Sequence, residues 1–211
     1  MNLYSVKEIY YTIQGEGHHT GQPAVFLRFS GCNLWSGLEK DRSTAICKFC
    51  DTNFWGTDGT LGGKYDASQL VQTCLSLWPD ADQQPWVVCT GGEPLLQLDT
   101  ELISELHRFN FNIALETNGT IEVPQDIDWV CVSPKIGAQL IVTSGDELKL
   151  VYPQDDLGEL EQYETLSFKQ FSLQPLDDEH QLDNIASCID ICKSRPQWRL
   201  SLQTHKFAGI P

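Results

Sequence analysis

Short apolar runs recur along the chain, and each is followed by a small polar cluster. The runs are AVFLRF (24–29), WVVC (86–89), NIALE (112–116), WVCV (129–132), ELKLV (147–151), FKQFSL (168–173) and RLSLQ (199–203). Apolar stretches of this length, bounded by turn residues, fit strands buried in a sheet. Helical spacing fills several of the gaps. In DASQLVQTCLSLW, Asp66 and Gln69 form a capping-box start, Leu70, Val71, Cys74, Leu75 and Trp78 share a face, and Pro79 ends the helix. DTELISELHRF gathers Leu102, Ile103, Leu106 and Phe109; DNIASCIDICKSRP aligns Ile185, Cys188, Ile189 and Cys192 ahead of Pro196. Strands alternating with helices require a parallel sheet. The connections 118–128 and 135–146 barely hold a crossover helix. The expected architecture is therefore an α/β, partial TIM-like barrel with an incomplete outer helical layer, whose bare sheet surface a second subunit covers.

The polar clusters constrain function. They read TGGEP after the second run, ETNG after the third, SPK after the fourth, QP after the sixth and QTH after the last. In barrels and open α/β sheets the carboxyl edge is the ligand-binding edge, so the pattern is that of an enzyme. The 211 residues suit one domain, 1–211. A net charge of -15 argues against a nucleic-acid surface. No run reaches the 18 or so apolar residues of a membrane helix, and MNLYSVKEIYYTIQGEG has no apolar signal core. A cytoplasmic location follows as the expectation, with reduced thiols.

Of eight cysteines, three fall in the loop after the first run: Cys32, Cys47 and Cys50, with gaps of fourteen and two residues. Structural zinc wants four ligands in short-spaced pairs; Cys47 and Cys50 make one pair, and Cys32 with His18 or His19 could complete it. An iron–sulfur cluster normally takes four thiolates, and three would leave one iron open to a ligand. Unliganded core thiols are the third possibility. Spacing alone leaves these open.

Taken together, CNLW…CKFCDT, TGGEP and strand-ended chemistry resemble the radical SAM superfamily. The order YYTIQGEG, PAVFLRFSGCNLW, CDT, TGGEPLLQ, ETNGT, VSPK, ELKLV, QP and THKFAGIP resembles the 7-carboxy-7-deazaguanine synthase family over nearly the whole chain. The fourteen-residue gap departs from the usual C-x3-C-x2-C loop, and some members of that family carry this longer insertion. The resemblance implies a radical SAM barrel with a 4Fe-4S cluster on Cys32, Cys47 and Cys50, S-adenosylmethionine on the fourth iron, and Mg2+. It implies conversion of 6-carboxy-5,6,7,8-tetrahydropterin to 7-carboxy-7-deazaguanine with loss of ammonia, a step toward queuosine. A one-electron donor such as flavodoxin and a homodimeric state are the implied partners.

The resemblance also distributes roles. Phe49, Cys50, Asp51, Gly92, Glu116, Ser133, Pro134, Lys135, Gln174, Pro175, Leu176 and Asp177 are the expected cofactor contacts, with Gly91 and Glu93 in the same turn. Ile13, Gln14, Gly15, Glu16, Arg28, Thr90, His205 and Pro211 are the expected substrate contacts, and Thr52 the magnesium position. The chemistry is apt. A carboxylate such as Glu16 matches the amide-and-guanidine edge of a pterin, and a guanidinium such as Arg28 binds a carboxylate bidentately. The remaining cysteines, Cys74, Cys89, Cys131, Cys188 and Cys192, read as small core residues, and His18 and His19 as solvated loop residues. Lys40, Arg42 and Lys48 offer a positive patch for an acidic electron donor. Two rivals share parts of this pattern: a glycyl-radical activase and a zinc-stabilised binding module.

Overall fold

A ten-residue strand that the apolar runs do not announce, β1 (Tyr4–Ile13), opens the fold. The computed structural model describes residues 2–80, 82–155 and 157–211. In β1 the two-residue alternation breaks at a bulge between Val6 and Glu8. The extra residue moves the inward set by one position, which hides the strand from a period-two reading. β2 (Pro23–Phe29) and β3 (Gly63–Tyr65) flank β1, both antiparallel to it.

From β2 onward the sheet is parallel. The chain runs through α1 (Ala67–Leu77), β4 (Trp86–Gly91), α2 (Thr100–Arg108), β5 (Asn112–Thr117), β6 (Trp129–Val132), β7 (Ser144–Tyr152), α3 (Glu161–Glu164), β8 (Ser167–Pro175), α4 (Gln181–Ser194), β9 (Trp198–Leu200) and α5 (Thr204–Ala208). The nine strands lie in the order β3-β1-β2-β4-β5-β6-β7-β8-β9, with β3 and β9 as free edges. The result is a partial barrel. Among the described residues the connections 118–128 and 133–143 carry no helix, so the helical layer is incomplete, as expected.

One face of the sheet is the core. Val25, Leu27, Phe29 and Cys89 pack beneath α1 and α2 with Leu70, Val71, Cys74, Leu102, Ile103 and Leu106. Leu148, Leu150, Leu173 and Trp198 form a second cluster with Cys188 of α4. The Asp66 capping box starts α1 as read from sequence, and Asp99 caps α2 by accepting from the Leu102 amide. The face expected for α4 is rotated. Ile189 is 39% exposed, whereas Asn184 is buried. The Asn184 amide donates to the Leu176 carbonyl (3.0 Å) and to Asp178 (2.9 Å), turning its side of the helix inward.

Alternation along the strands sends the other set of side chains to the barrel interior. Register aligns Arg28 with Thr90, Glu116 with Cys131, and Lys149 with Ser172. The amino end of this interior is closed by aromatic residues. His19 packs on Trp86 and Trp129 (5.1 and 4.4 Å between ring centres), and His18 stacks on Trp129 at 4.8 Å. Below them the buried Glu147 accepts hydrogen bonds from the His18 amide and the Ser172 hydroxyl. His19 is thus part of a plug, not a solvated loop residue, because the loop 14–22 folds over the end of the barrel. Exposed His18 joins that plug through its stacking contact.

Candidate active site

Two loops meet at the carboxyl edge because neither carries a side chain where they touch. A Cβ on Gly91 would lie 2.3 Å from the Phe29 carbonyl oxygen. One on Gly92 would lie 2.2 Å from the Gly31 carbonyl oxygen and 2.7 Å from the Cys32 Cβ. Glycine is required at both positions. The cysteine loop between them is held from inside. Trp35 is buried edge-on against Phe54 at 5.5 Å, and the Arg42 guanidinium lies 4.0 Å over the Trp35 ring. Arg42 also donates to the carbonyls of Lys48 (2.9 Å) and Cys50 (3.1 Å). Arg42 is therefore a clamp on the loop that carries Cys47 and Cys50, which corrects its reading as part of a surface patch. Lys40 and Lys48 are exposed.

The three thiols differ. A hydrogen bond from Cys47 holds the Cys50 thiol down to about 7 despite its burial. The same bond, with burial, pushes Cys47 up, and burial raises Cys32. The zinc alternative loses its remaining ligands, since His18 and His19 sit at the opposite end of the barrel. Among the described residues no three His, Cys, Asp or Glu side chains come together around a single metal-ion position.

A cavity of about 180 Å³ opens beside Cys47 and Cys50. It is lined by all the expected cofactor contacts except Pro134, including Phe49, Gly92, Ser133, Lys135 and the segment Gln174–Asp177. Pro134 lines a separate small cavity with Ile136 and Tyr163, and its carbonyl accepts from Gln154 at 3.4 Å. Lys135 donates to the Ser133 carbonyl (2.7 Å) and hydroxyl (2.6 Å), with its ammonium 6.0 Å from the centre of the Phe49 ring. Glu93 is fully buried, and its carboxylate accepts from Thr117 Oγ1 (2.8 Å), the Asn118 amide (2.8 Å) and the Leu95 amide (3.0 Å). That carboxylate ties two loops together and has little capacity left for a ligand, so the turn offers Gly91 and Gly92 backbone instead.

A second cavity, of about 250 Å³, adjoins the first. Ile13, Gln14, Gly15, Glu16, Arg28, Thr90, His205 and Pro211 all line it, as does Thr52. Arg28 is fixed by Glu8 through Nε (2.8 Å) and by the Tyr10 hydroxyl through Nη2 (2.7 Å). The ion pair that competes with a ligand-binding reading is real, and it still leaves the guanidinium on the cavity wall. The carboxyl-terminal segment folds across this cavity. The Thr204 amide and hydroxyl donate to the Gly15 carbonyl (2.9 and 3.0 Å), and Thr12 Oγ1 donates to the Pro211 carbonyl (3.1 Å). Gly15 has no room for a side chain, because a Cβ would meet His205 Nδ1 at 2.2 Å. Lys206 pairs with Asp51 (2.6 Å) and Asp177, and burial lowers the basicity of His205.

The wall shared by the cavities carries a residue that sequence reasoning missed. Lys149 Nζ lies 2.8 Å from Glu16 Oε2 and 2.8 Å from Glu116 Oε2, and all three line both cavities. Burial opposes ionisation of Glu16, but the Lys149 charge and hydrogen bonds from Lys149 and Gln203 outweigh it and hold the carboxyl down to about 2. Burial raises Glu116, with Lys149 pulling the other way. Glu116 is thus an ion-paired wall residue and not a solvated strand end. Cys131 lies fully buried beside Glu116 and Lys149, outside the apolar clusters. Its reading as a core filler is corrected accordingly. The signal for Lys149 was present in ELKLV, where charged and apolar residues alternate as they do when one face is polar.

No family model matches the sequence. Individual relatives do. A 7-carboxy-7-deazaguanine synthase of Burkholderia multivorans is 56% identical over 209 residues, covering 99% of each chain. One from Bradyrhizobium diazoefficiens is 56% identical over 208 residues, covering 98% of this chain and 99% of the relative. The chain belongs to the 7-carboxy-7-deazaguanine synthase family. A crystal structure of QueE from Escherichia coli superposes with a TM-score of 0.73 at 28% identity, covering 95% of this chain and 93% of that one. The partial barrel is therefore the architecture of 7-carboxy-7-deazaguanine synthases, and the chain is an enzyme. This family membership sets aside both the activase and the binding-module readings.

Proposed function

We propose that this single-domain chain is a radical SAM enzyme that converts 6-carboxy-5,6,7,8-tetrahydropterin to 7-carboxy-7-deazaguanine with loss of ammonia, in the formation of queuosine and related 7-deazapurines. One observation carries the reading: two adjoining cavities share a wall, one bordered by a three-cysteine loop and the other by a guanidinium and carboxylates suited to a carboxypterin. Cys32, Cys47 and Cys50 would hold a 4Fe-4S cluster, and the glycine-only contact at Gly92 seats its turn against Gly31 and Cys32 of the cysteine loop. Phe49 and Lys135 would flank the adenosine of S-adenosylmethionine, and Glu116 would accept from a ribose hydroxyl. Bound together, cluster and S-adenosylmethionine supply the radical chemistry that the ring contraction needs.

The protein's own residues bind and orient. Glu16, ionised by its contacts, presents two acceptor oxygens to the donor edge of the pterin. Arg28, braced by Glu8 and Tyr10, faces the pterin carboxylate. The fold-over of residues 204–211, tied to Gly15 and Thr12, would cover one side of the reacting ring. Thr52, on the border of both cavities, is the proposed magnesium position, with substrate oxygens and waters completing the shell. Flavodoxin is the proposed electron donor, a homodimer the proposed assembly, and the cytoplasm the proposed location. Among the described residues no helix is long and apolar enough to cross a membrane. Oxygen-free incubation with the tetrahydropterin, dithionite, magnesium and S-adenosylmethionine, followed by mass spectrometry, tests the reading. The deazaguanine product is expected. Cleavage of S-adenosylmethionine with the pterin unchanged would contradict it.

A further inference from the structure

Two half-buried carboxylates on the wall between the cavities share one buried cation. Lys149 is 5% exposed and reaches Glu16 from one side and Glu116 from the other. We infer that Lys149 is a positioning residue that keeps Glu16 and Glu116 ionised together, so that each offers only acceptor oxygens, one to the substrate and one to the cofactor. The inference rests on the function proposed above and goes beyond the contacts that function requires.

Among the described residues the other cations lining these cavities are already engaged: Arg28 by Glu8 and Tyr10, Lys135 by Ser133, and Lys206 by Asp51 and Asp177. The remaining titratable groups facing the pair are Tyr10 from β1, Cys131 and Glu147 from β6 and β7, Asp51 from the cysteine loop and His205 from α5. The first four can be only neutral or negative, and burial pushes His205 toward neutrality. Without the ammonium, two like charges would lie side by side in a half-buried wall, and one carboxyl would take up a proton. A protonated Glu16 would set a hydroxyl donor against the N–H donors of the pterin edge, turning an attraction into a clash of donors. A neutral side chain at 149 therefore makes substrate binding depend on pH, with affinity rising as the shared proton leaves.

The probe is 6-carboxypterin, an unreactive analogue, bound without reductant to the cluster-loaded protein and followed by its fluorescence between about pH 6.5 and 8.5. The native enzyme is expected to bind with little change over this range. Lys149→Met is expected to lose tenfold or more in affinity at the acidic end and to regain it at up to about tenfold per pH unit. Lys149→Arg is expected to restore the flat profile. Lys149→Gln, which keeps an amide donor but no charge, is expected to behave as Lys149→Met, and it answers the question even if the methionine variant does not fold. An equal loss at every pH would show that Lys149 only supports the wall, and an unchanged affinity would show that it does not act on Glu16; either overturns the inference. Failure of the native enzyme to bind 6-carboxypterin would instead count against the proposed function.

Discussion

Alanine at Cys32, Cys47 or Cys50 removes a thiolate from the cysteine loop beside the first cavity, and each variant is expected to lose the iron, sulfide and brown absorbance of the loaded protein. Cys89→Ala removes a sulfur that faces only the apolar core. It is expected to keep its iron and to lose on the order of 1–2 kcal/mol of stability in denaturant unfolding. Iron loss from a well-folded Cys89→Ala would refute the assignment. Cys131→Ala belongs to neither class, since its thiol borders Glu116 and Lys149. At this scale the sequence is informative where a residue type is rare and its spacing constrained, as for the three loop cysteines. It is uninformative where the role depends on a partner far along the chain. Glu16 and Lys149 are 133 positions apart, and only the folding of the loop 14–22 over the end of the barrel brings them together.

The cysteine loop shows the same limit for an element. Its charges look like ordinary solvated residues in sequence, yet Arg42 is stacked on Trp35 and bonded to two loop carbonyls, while Lys40 and Lys48 face solvent. These classes separate experimentally. Arg42→Ala is expected to lower cluster occupancy and to reduce turnover equally with dithionite and with flavodoxin. Lys48→Glu is expected to keep its iron and slow only flavodoxin-supported turnover, most at low salt, because an exposed charge acts on encounter through a screened field. Equal losses with both reductants in Lys48→Glu would mean that the loop does not dock the donor. The parallel strands were legible because they read as near-continuous apolar runs. β1 was not, because its bulge shifts the alternation midway; nor was the facing of α4, where Asn184 takes an inward position through its own hydrogen bonds.

For the whole molecule, an open sheet with its chemistry along one edge suits a substrate that must meet a cofactor directly. Strands β2 and β4 supply Arg28 and Thr90 to one cavity, β5 and β7 supply the Glu116–Lys149 wall, and the loops after β6 and β8 line the other cavity. The far end of the barrel is plugged by His18, His19, Trp86 and Trp129. The net charge of -15 confines any acidic partner to local positive patches near the carboxyl edge. The central claim is that cofactor and substrate occupy adjoining cavities on either side of the Glu16–Lys149–Glu116 wall. An oxygen-free crystal structure with S-adenosylmethionine and the carboxypterin bound together tests it most directly. Adenosine density is expected against Phe49 and Lys135, and pterin density between Glu16 and Arg28. Density for the pterin outside the Arg28 cavity, or for both ligands in one cavity, would contradict it.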